Sequence, residues 1–168
     1  SGQQVKALCR PDSKLSRVRD LFAWYGPEGI KSYEHIQWVQ GDLNDLPSLE
    51  AAFEDVTEVY HCAALISFDP RMEERLLKVN VEGTRNIVNL CLDKGVTHLY
   101  YTSSVAAVGG SSGILAEDDH WDPAQTNVYA TSKYLAEMEV WRGGQEGLQT
   151  VITNPGIILG PGFWDSGS

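Results

Sequence analysis

The sequence predicts an open α/β fold built on a parallel sheet. Short runs rich in β-branched and aromatic residues alternate with segments whose apolar residues recur at helical spacing. The spacers between successive strand-like runs suit crossover helices and are too long for hairpin turns. Small and polar residues cluster directly after the strand-like runs, at the edge where such sheets bind ligands.

Val5 to Cys9 reads as the first strand. Pro11-Asp12-Ser13 supplies a turn and a helix cap, and Leu15, Val18, Leu21 and Phe22 predict a helix to about Tyr25. Gly26-Pro27 is expected to stop it. Ile36 to Val39 is the second strand, ending at Gly41-Asp42. A helix is expected to start near Pro47, capped by Asp45, with Leu49, Ala52 and Phe53 on one face. Val56 to Cys62 is the third strand, followed by Ala63-Ala64 and a loop holding Pro70. Met72, Leu76, Val79, Thr84, Ile87, Val88 and Cys91 form one stripe and predict a single helix over 71–94, with Gly95 just past its end. Val96 to Thr102 is the fourth strand. Residues 109–125, rich in Gly, Ser, Asp and Pro, read as a loop. A helix over 128–142 is expected to end at Gly143-Gly144, and Thr150 to Asn154 is the last strand. No internal repeat, low-complexity tract or linker is visible.

The 168 residues amount to one ordinary domain or a piece of a larger one. Apolar residues make up 42% and charged residues 21%, a globular balance. Asp and Glu number 23 against 13 Lys and Arg, a net charge of −10. That charge repels phosphate backbones and anionic lipid, so neither nucleic acid nor membrane is an expected partner. No apolar run approaches the roughly 20 residues that span a bilayer, and no secretory leader is visible. Cys9, Cys62 and Cys91 form no C-x-x-C pair. They lie in apolar stretches, so they are expected to be buried, reduced thiols of a cytoplasmic protein. The four histidines are scattered, and no metal site is expected. His61 reads as a strand residue packed under the sheet, and Glu117-Asp118-Asp119 as a solvated loop.

Ligand binding at the carboxyl ends of the strands directs attention to Arg10, Asp42, Cys62 to Ala64, Thr102 to Ser104, and Asn154 to Ile158. The most informative set is Tyr129, Lys133 and Ser104. Tyr129 and Lys133 are four apart on a predicted helix and share a face. Ser104 lies upstream at the end of a strand, so a carbonyl can sit between the serine and tyrosine hydroxyls. A free tyrosine ionises near ~10, and a lysine cation beside a tyrosine stabilises its phenolate. Tyr134, Met138 and Trp141 on the same helix read as core or as a face toward a partner subunit.

On these residues the chain resembles the extended short-chain dehydrogenases/reductases, also called the NAD-dependent epimerase/dehydratase family, over nearly all its length. Tyr100-Tyr-Thr-Ser-Ser-Val-Ala-Ala-Val-Gly109 resembles the catalytic-serine strand, and Val128-Tyr-Ala-Thr-Ser-Lys133 the Y-x-x-x-K helix. Val59-Tyr-His-Cys-Ala-Ala64 resembles the strand beneath the cofactor, and Gly41-Asp42-Leu43 the adenine-binding turn. Asn154-Pro155-Gly156-Ile-Ile158 with Gly160-Pro161-Gly162 resembles the segment flanking the nicotinamide. Dihydroflavonol-reductase-like and 3β-hydroxysteroid-dehydrogenase-like members look closest.

The resemblance implies a Rossmann-type doubly wound parallel sheet. It implies an NAD(P)-dependent oxidoreductase in which Ser104 holds the substrate oxygen, Tyr129 exchanges its proton and Lys133 supports the tyrosine and binds the nicotinamide ribose. Cofactor contacts are implied for Arg10, Asp42, Leu43, Cys62, Ala63, Ala64, Asn80, Thr102, Tyr129, Lys133, Pro155 and Ile158. The same machinery could instead serve a nucleotide-sugar epimerase or dehydratase holding NAD. A non-catalytic NADP-binding regulator is a further alternative, against which the Y-x-x-x-K motif argues. An NAD site usually carries an acidic residue where the first strand here ends in Arg10, with Lys14 and Arg17 following. A guanidinium suits a 2′-phosphate, so NADP is expected ahead of NAD. The family pairs through the helices here expected at 71–94 and 128–142, so a homodimer involving Met138 and Trp141 is expected. The family also opens with a strand and a glycine-rich phosphate loop that have no counterpart here. Residues 1–168 are therefore expected to be a partial NAD(P)-binding domain, with the substrate domain mostly absent.

Overall fold

The computed structural model describes residues 4–109, 121–122 and 126–162. They fall into two units, one from residues 1–52 with 158–168 and one from residues 53–157.

In the first unit, β1 (Val5–Cys9) and β2 (Ile36–Gln40) pair in parallel, with Val5 opposite Ile36 and Cys9 opposite Gln40. The crossover holds two helices where the sequence suggested one. After α1 (Leu15–Ala23), α2 (Gly26–Glu34) begins at the very glycine and proline expected to end the helix. Gly26 takes φ +70°, which turns the chain, and Pro27 sits in the first helical turn, where its missing N–H costs nothing. Phe22, Tyr33 and Trp38 then link α1, α2 and β2 through ring contacts of 5.8 Å each. α3 (Leu46–Ala52) buries Leu49 completely. Its start is tied down by Ser48, whose hydroxyl donates to the Asp45 carbonyl at 2.8 Å and accepts from the Asp42 N–H at 3.2 Å.

The second unit has three parallel strands, β3 (Glu58–His61), β4 (His98–Thr102) and β5 (Gln149–Thr153), in the order β3-β4-β5. His61 lies opposite Tyr101, and Thr102 opposite Thr153. The helix expected over 71–94 is present but changes its winding along its length. A 3₁₀ turn at Pro70–Met72, with the Asp69 side chain accepting from the Arg71 N–H, leads into α4 (Glu73–Leu76). A π-helical turn follows at Leu77–Glu82, and then α5 (Gly83–Lys94). The π turn contains Asn80, whose side chain bonds outside its own helix, as described below. Such widened turns recur at functional sites. Gly95 closes α5 in the left-handed conformation expected of it, at φ +69°.

α6 (Val128–Gln145) starts with the Asn127 side chain accepting from the Ala130 N–H at 2.9 Å. It runs through Gly143-Gly144, where the sequence suggested a stop. A Cβ on Gly143 would lie 2.7 Å from Val88 Cγ1, so this glycine serves close approach of α6 to α5. Leu76, Val88, Cys91, Leu99, Ala136 and Val140 are fully buried and form the core of this unit. Each such leucine or valine side chain contributes about 1.5–3 kcal/mol.

Two of the three thiols differ from expectation. Cys91 is buried, and burial pushes it up to about 12. Cys9 is half-buried, and Cys62 is exposed because β3 ends at His61, one residue before it. Among the described residues, no helix is long and apolar enough to cross a membrane, and no group of His, Cys, Asp and Glu could hold a metal ion. The loop at 109–125, with Glu117-Asp118-Asp119, lies largely outside the described residues.

Candidate functional site

In the second unit, parallel pairing brings the ends of β4 and β5 level. The Ser103 N–H, one residue past β4, donates to the carbonyl of Thr153, the last residue of β5, at 2.8 Å. Ser104 follows in extended conformation at the start of a 3₁₀ turn, Val105–Ala107. Its Oγ accepts from the Ala106 N–H at 3.2 Å, which leaves the hydroxyl proton to be donated elsewhere. The Ser104 carbonyl accepts from Asn154 Nδ2 at 3.1 Å, and the Val105 N–H donates to the Pro155 carbonyl at 3.0 Å. The Asn154-Pro155 segment is thereby fixed against the serine.

Tyr129 lies in the first turn of α6, half-buried, with the exposed Phe68 ring edge-on at 5.6 Å. Lys133 is one turn further on and only 2% exposed. α6 packs against the 3₁₀ turn that follows Ser104, so the three residues belong to one region. Lys133 Nζ donates to Tyr101 Oη at 2.8 Å and to the Thr102 carbonyl at 2.9 Å, and sits 4.5 Å from the Tyr101 ring centre. Burial pulls its ammonium down to about 8, while the Glu137 carboxylate and the Cys62 thiol push the other way.

Past β3, Cys62, Ala63 and Ala64 are exposed, and Thr102 Oγ1 donates to Cys62 Sγ at 3.4 Å. Asn80 is 2% exposed and fully occupied. It accepts from the Leu65 N–H at 2.7 Å and donates to the Leu65 carbonyl and to Ser132 Oγ at 2.9 Å each. Its side chain therefore fixes the loop after β3 against α6. His61 is packed under the sheet as expected. Burial first, and the Lys133 cation second, lower it to about 3, so its imidazole is neutral at physiological pH.

Glu137 was not singled out by the sequence. Its carboxylate accepts from Ser103 Oγ at 2.6 Å, from Asn154 Nδ2 at 2.9 Å and from Trp141 Nε1 at 3.3 Å. It thus joins the serine loop, the segment after β5 and α6. The signal was available, because Tyr129, Lys133 and Glu137 recur at four-residue spacing on one helix face.

In the first unit, Arg10 follows β1. Its N–H donates to Ser13 Oγ at 3.0 Å, and its guanidinium lies 3.5 Å from Asp12 with most of both side chains in solvent. Asp12, expected to cap α1, pairs with Arg10, and Ser13 closes the turn. Asp42 Oδ1 accepts from the Asn44 N–H at 2.9 Å, which shapes the turn that carries the half-buried Leu43. Asn44 Oδ1 is a buried acceptor without a donor among the described residues. Ile158 is 76% exposed.

Residues 3–164 match the model of the 3-beta hydroxysteroid dehydrogenase/isomerase family. A putative dihydroflavonol 4-reductase of Synechocystis sp. is 35% identical over 167 residues, covering 98% of this chain and 44% of that protein. The crystal structure of gox2253 superposes with a TM-score of 0.72 at 34% identity, covering 92% of this chain and 44% of that one. MoeE5, solved with UDP-glucuronic acid and NAD, superposes with a TM-score of 0.61 at 28% identity, covering 70% and 39%. The chain thus spans less than half the length of these relatives, and its fold is that of Rossmann-type α/β enzymes.

Proposed function

Because the chain belongs to the 3-beta hydroxysteroid dehydrogenase/isomerase family, within the extended short-chain dehydrogenases/reductases, we propose that the intact protein is an NAD(P)-dependent oxidoreductase. It interconverts a carbonyl compound and a secondary alcohol. The observation that carries this reading is the buried Lys133 ammonium one helical turn from Tyr129, on a helix packed against the turn after Ser104.

The residues present suit a nicotinamide cofactor. Two of the three Lys133 N–H donors are used among the described residues, both on neutral oxygens, which leaves one for a ribose hydroxyl. The small exposed Ala63 and Ala64 permit close approach of a ligand past β3. Asp42, Leu43 and the undonated Asn44 Oδ1 offer acceptors and an apolar contact for an adenine. Thr102, Pro155 and Ile158 complete the proposed contacts, whereas Asn80, expected to touch the cofactor, is buried and acts only through the loop it fixes after β3. A bound nicotinamide supplies or takes up the hydride.

The chain's own residues manage the oxygen and its proton. In reduction, Ser104 donates a hydrogen bond to the carbonyl oxygen, and Tyr129 delivers the proton that completes the alcohol. The Lys133 cation stabilises the negative charge left on the phenolic oxygen. Oxidation runs the same steps backward. The reductase or dehydrogenase reading is preferred to a nucleotide-sugar epimerase because the family and the curated relative carry reductase and dehydrogenase names.

Further parts of the proposal concern the whole protein. Arg10 favours NADP over NAD by pairing its guanidinium with the 2′-phosphate. The chain acts in the cytoplasm as a partial Rossmann domain of a longer polypeptide. The polypeptide pairs as a homodimer through α5 and α6, where Leu135, Met138 and Trp141 are exposed. Trp141→Asp should turn a dimer into a monomer in sedimentation.

The function is tested by giving the intact protein NADPH with a dihydroflavonol, and NAD with a 3β-hydroxysteroid, while following nicotinamide absorbance. Turnover that Ser104→Ala reduces at least about 100-fold is the expected result. Failure to bind either cofactor would overturn the reading.

A further inference from the structure

His61 and Tyr101 are opposite residues of neighbouring parallel strands, so their side chains emerge side by side on one face of the sheet. Their rings are 5.4 Å apart. α5 places Thr84 over them, and α6 places Lys133. All four are buried: His61 is 4% exposed, and Thr84, Tyr101 and Lys133 are 2% or less. Lys133 Nζ is 2.8 Å from Tyr101 Oη, and Thr84 Oγ1 is 2.8 Å from His61 Nε2.

The donor directions follow from the chemistry of the first group. An ammonium only donates, so Tyr101 Oη accepts from it. The phenolic dipole thus turns its negative end toward the cation, and such a contact is stronger in a low-dielectric interior than in water. No carboxylate is hydrogen-bonded to Lys133 among the described residues, so neutral groups carry out much of its solvation.

We propose that Tyr101 is a positioning residue for Lys133, its phenolic oxygen keeping this buried lysine charged and aimed. The functional importance of the contact rests on the oxidoreductase reading, in which Lys133 is the working cation. The contact helps a deeply buried ammonium hold its proton at neutral pH. Other groups face it too. Glu137 on its own helix and Cys62 past β3 favour the charged form, His61 on β3 is itself disfavoured from protonating by Lys133, and Tyr129 lies one turn away on α6. Sequence reading gave Tyr101 no role beyond the strand, because its hydroxyl matters only once β3, α5 and α6 converge on it.

The test reads the lysine directly. The intact protein is labelled with ¹³C at the lysine ε-carbons, and the resonance missing from Lys133→Met is titrated with pH. In Tyr101→Phe, which keeps the ring and removes the acceptor, the Lys133 midpoint should fall by about one pH unit. The alkaline limb of kcat/KM should move down with it. Glu137→Gln reports the carboxylate contribution separately. An unchanged midpoint in folded Tyr101→Phe overturns the proposal. Should that variant not fold, the Tyr101 ¹³Cζ resonance of the wild type decides, a step at the Lys133 midpoint supporting the contact and no step overturning it. The midpoint needs no substrate. A protein that shows the shift yet transfers no hydride therefore overturns the oxidoreductase reading and leaves the contact standing.

Discussion

The two units handle their polar residues in opposite ways. In residues 53–157, Asn80, Ser103, Ser132, Lys133, His61 and Thr84 are buried, and each has a partner on another element. In the described part of the other unit, Arg10 and Asp12 meet at 3.5 Å in solvent, and α1 contributes no buried residue. Buried polar groups are costly unless fully paired, and once paired they fix geometry. Exposed ion pairs contribute little and leave side chains adaptable. Proton transfer needs its groups held within a few tenths of an ångström, whereas recognising a phosphate needs mainly a cation within reach. The division fits a reaction centre in one unit and a recognition element in the other.

If the contrast is real, substitutions in the second unit should carry the larger stability effects. His61 titrates at about 3 in the fold and near 6.5 when unfolded. Between those values the unfolded chain binds a proton that the native protein does not, so stability falls as the pH drops through that window. Denaturant unfolding of the intact protein should show a loss of about 1.4 kcal/mol per pH unit from this group between about pH 6 and pH 4, which His61→Leu removes.

Lys133 gives the next largest effect, with a sign set the same way. Its folded value is about 8 against 10.5 unfolded, so over that interval the unfolded chain again holds the extra proton and stability rises with pH. Relative to Lys133→Met, the wild type should gain about 3 kcal/mol across it. Gly143→Ala should cost about 1–3 kcal/mol, because the new methyl meets Val88 and forces α6 off α5. Arg10→Ala should change stability by less than about 0.5 kcal/mol. Its effect should appear in cofactor titrations, as a loss of NADP affinity without an equal loss for NAD. Equal losses would remove the 2′-phosphate role from Arg10.

The legible parts of the fold were those written in local pattern. β1 and the α5 terminus at Gly95 follow directly from hydrophobic period and glycine chemistry. The boundaries that shifted were decided by distant contacts. Gly143-Gly144 reads as a stop until Val88 is seen beside it, and Gly26-Pro27 reads as a break until Phe22 and Tyr33 are seen to pack across it. In the site, Ser104, Tyr129 and Lys133 were legible because their chemistry needs those residue types at a set spacing. Glu137 and Tyr101 were not, because a glutamate on a helix and a tyrosine in a strand are ordinary until their neighbours are known. The exposure of Cys62 was missed for a smaller reason, a strand ending one residue early.

The central claim is that Tyr129 handles the proton of a hydride transfer. A single-turnover measurement on the intact protein tests it, mixing enzyme, reduced cofactor and a carbonyl substrate identified by the assays above, with cofactor affinity measured alongside. Tyr129→Phe should slow the transfer by about 100- to 10,000-fold while cofactor affinity stays within about twofold. Transfer at the wild-type rate in that variant would contradict the assignment.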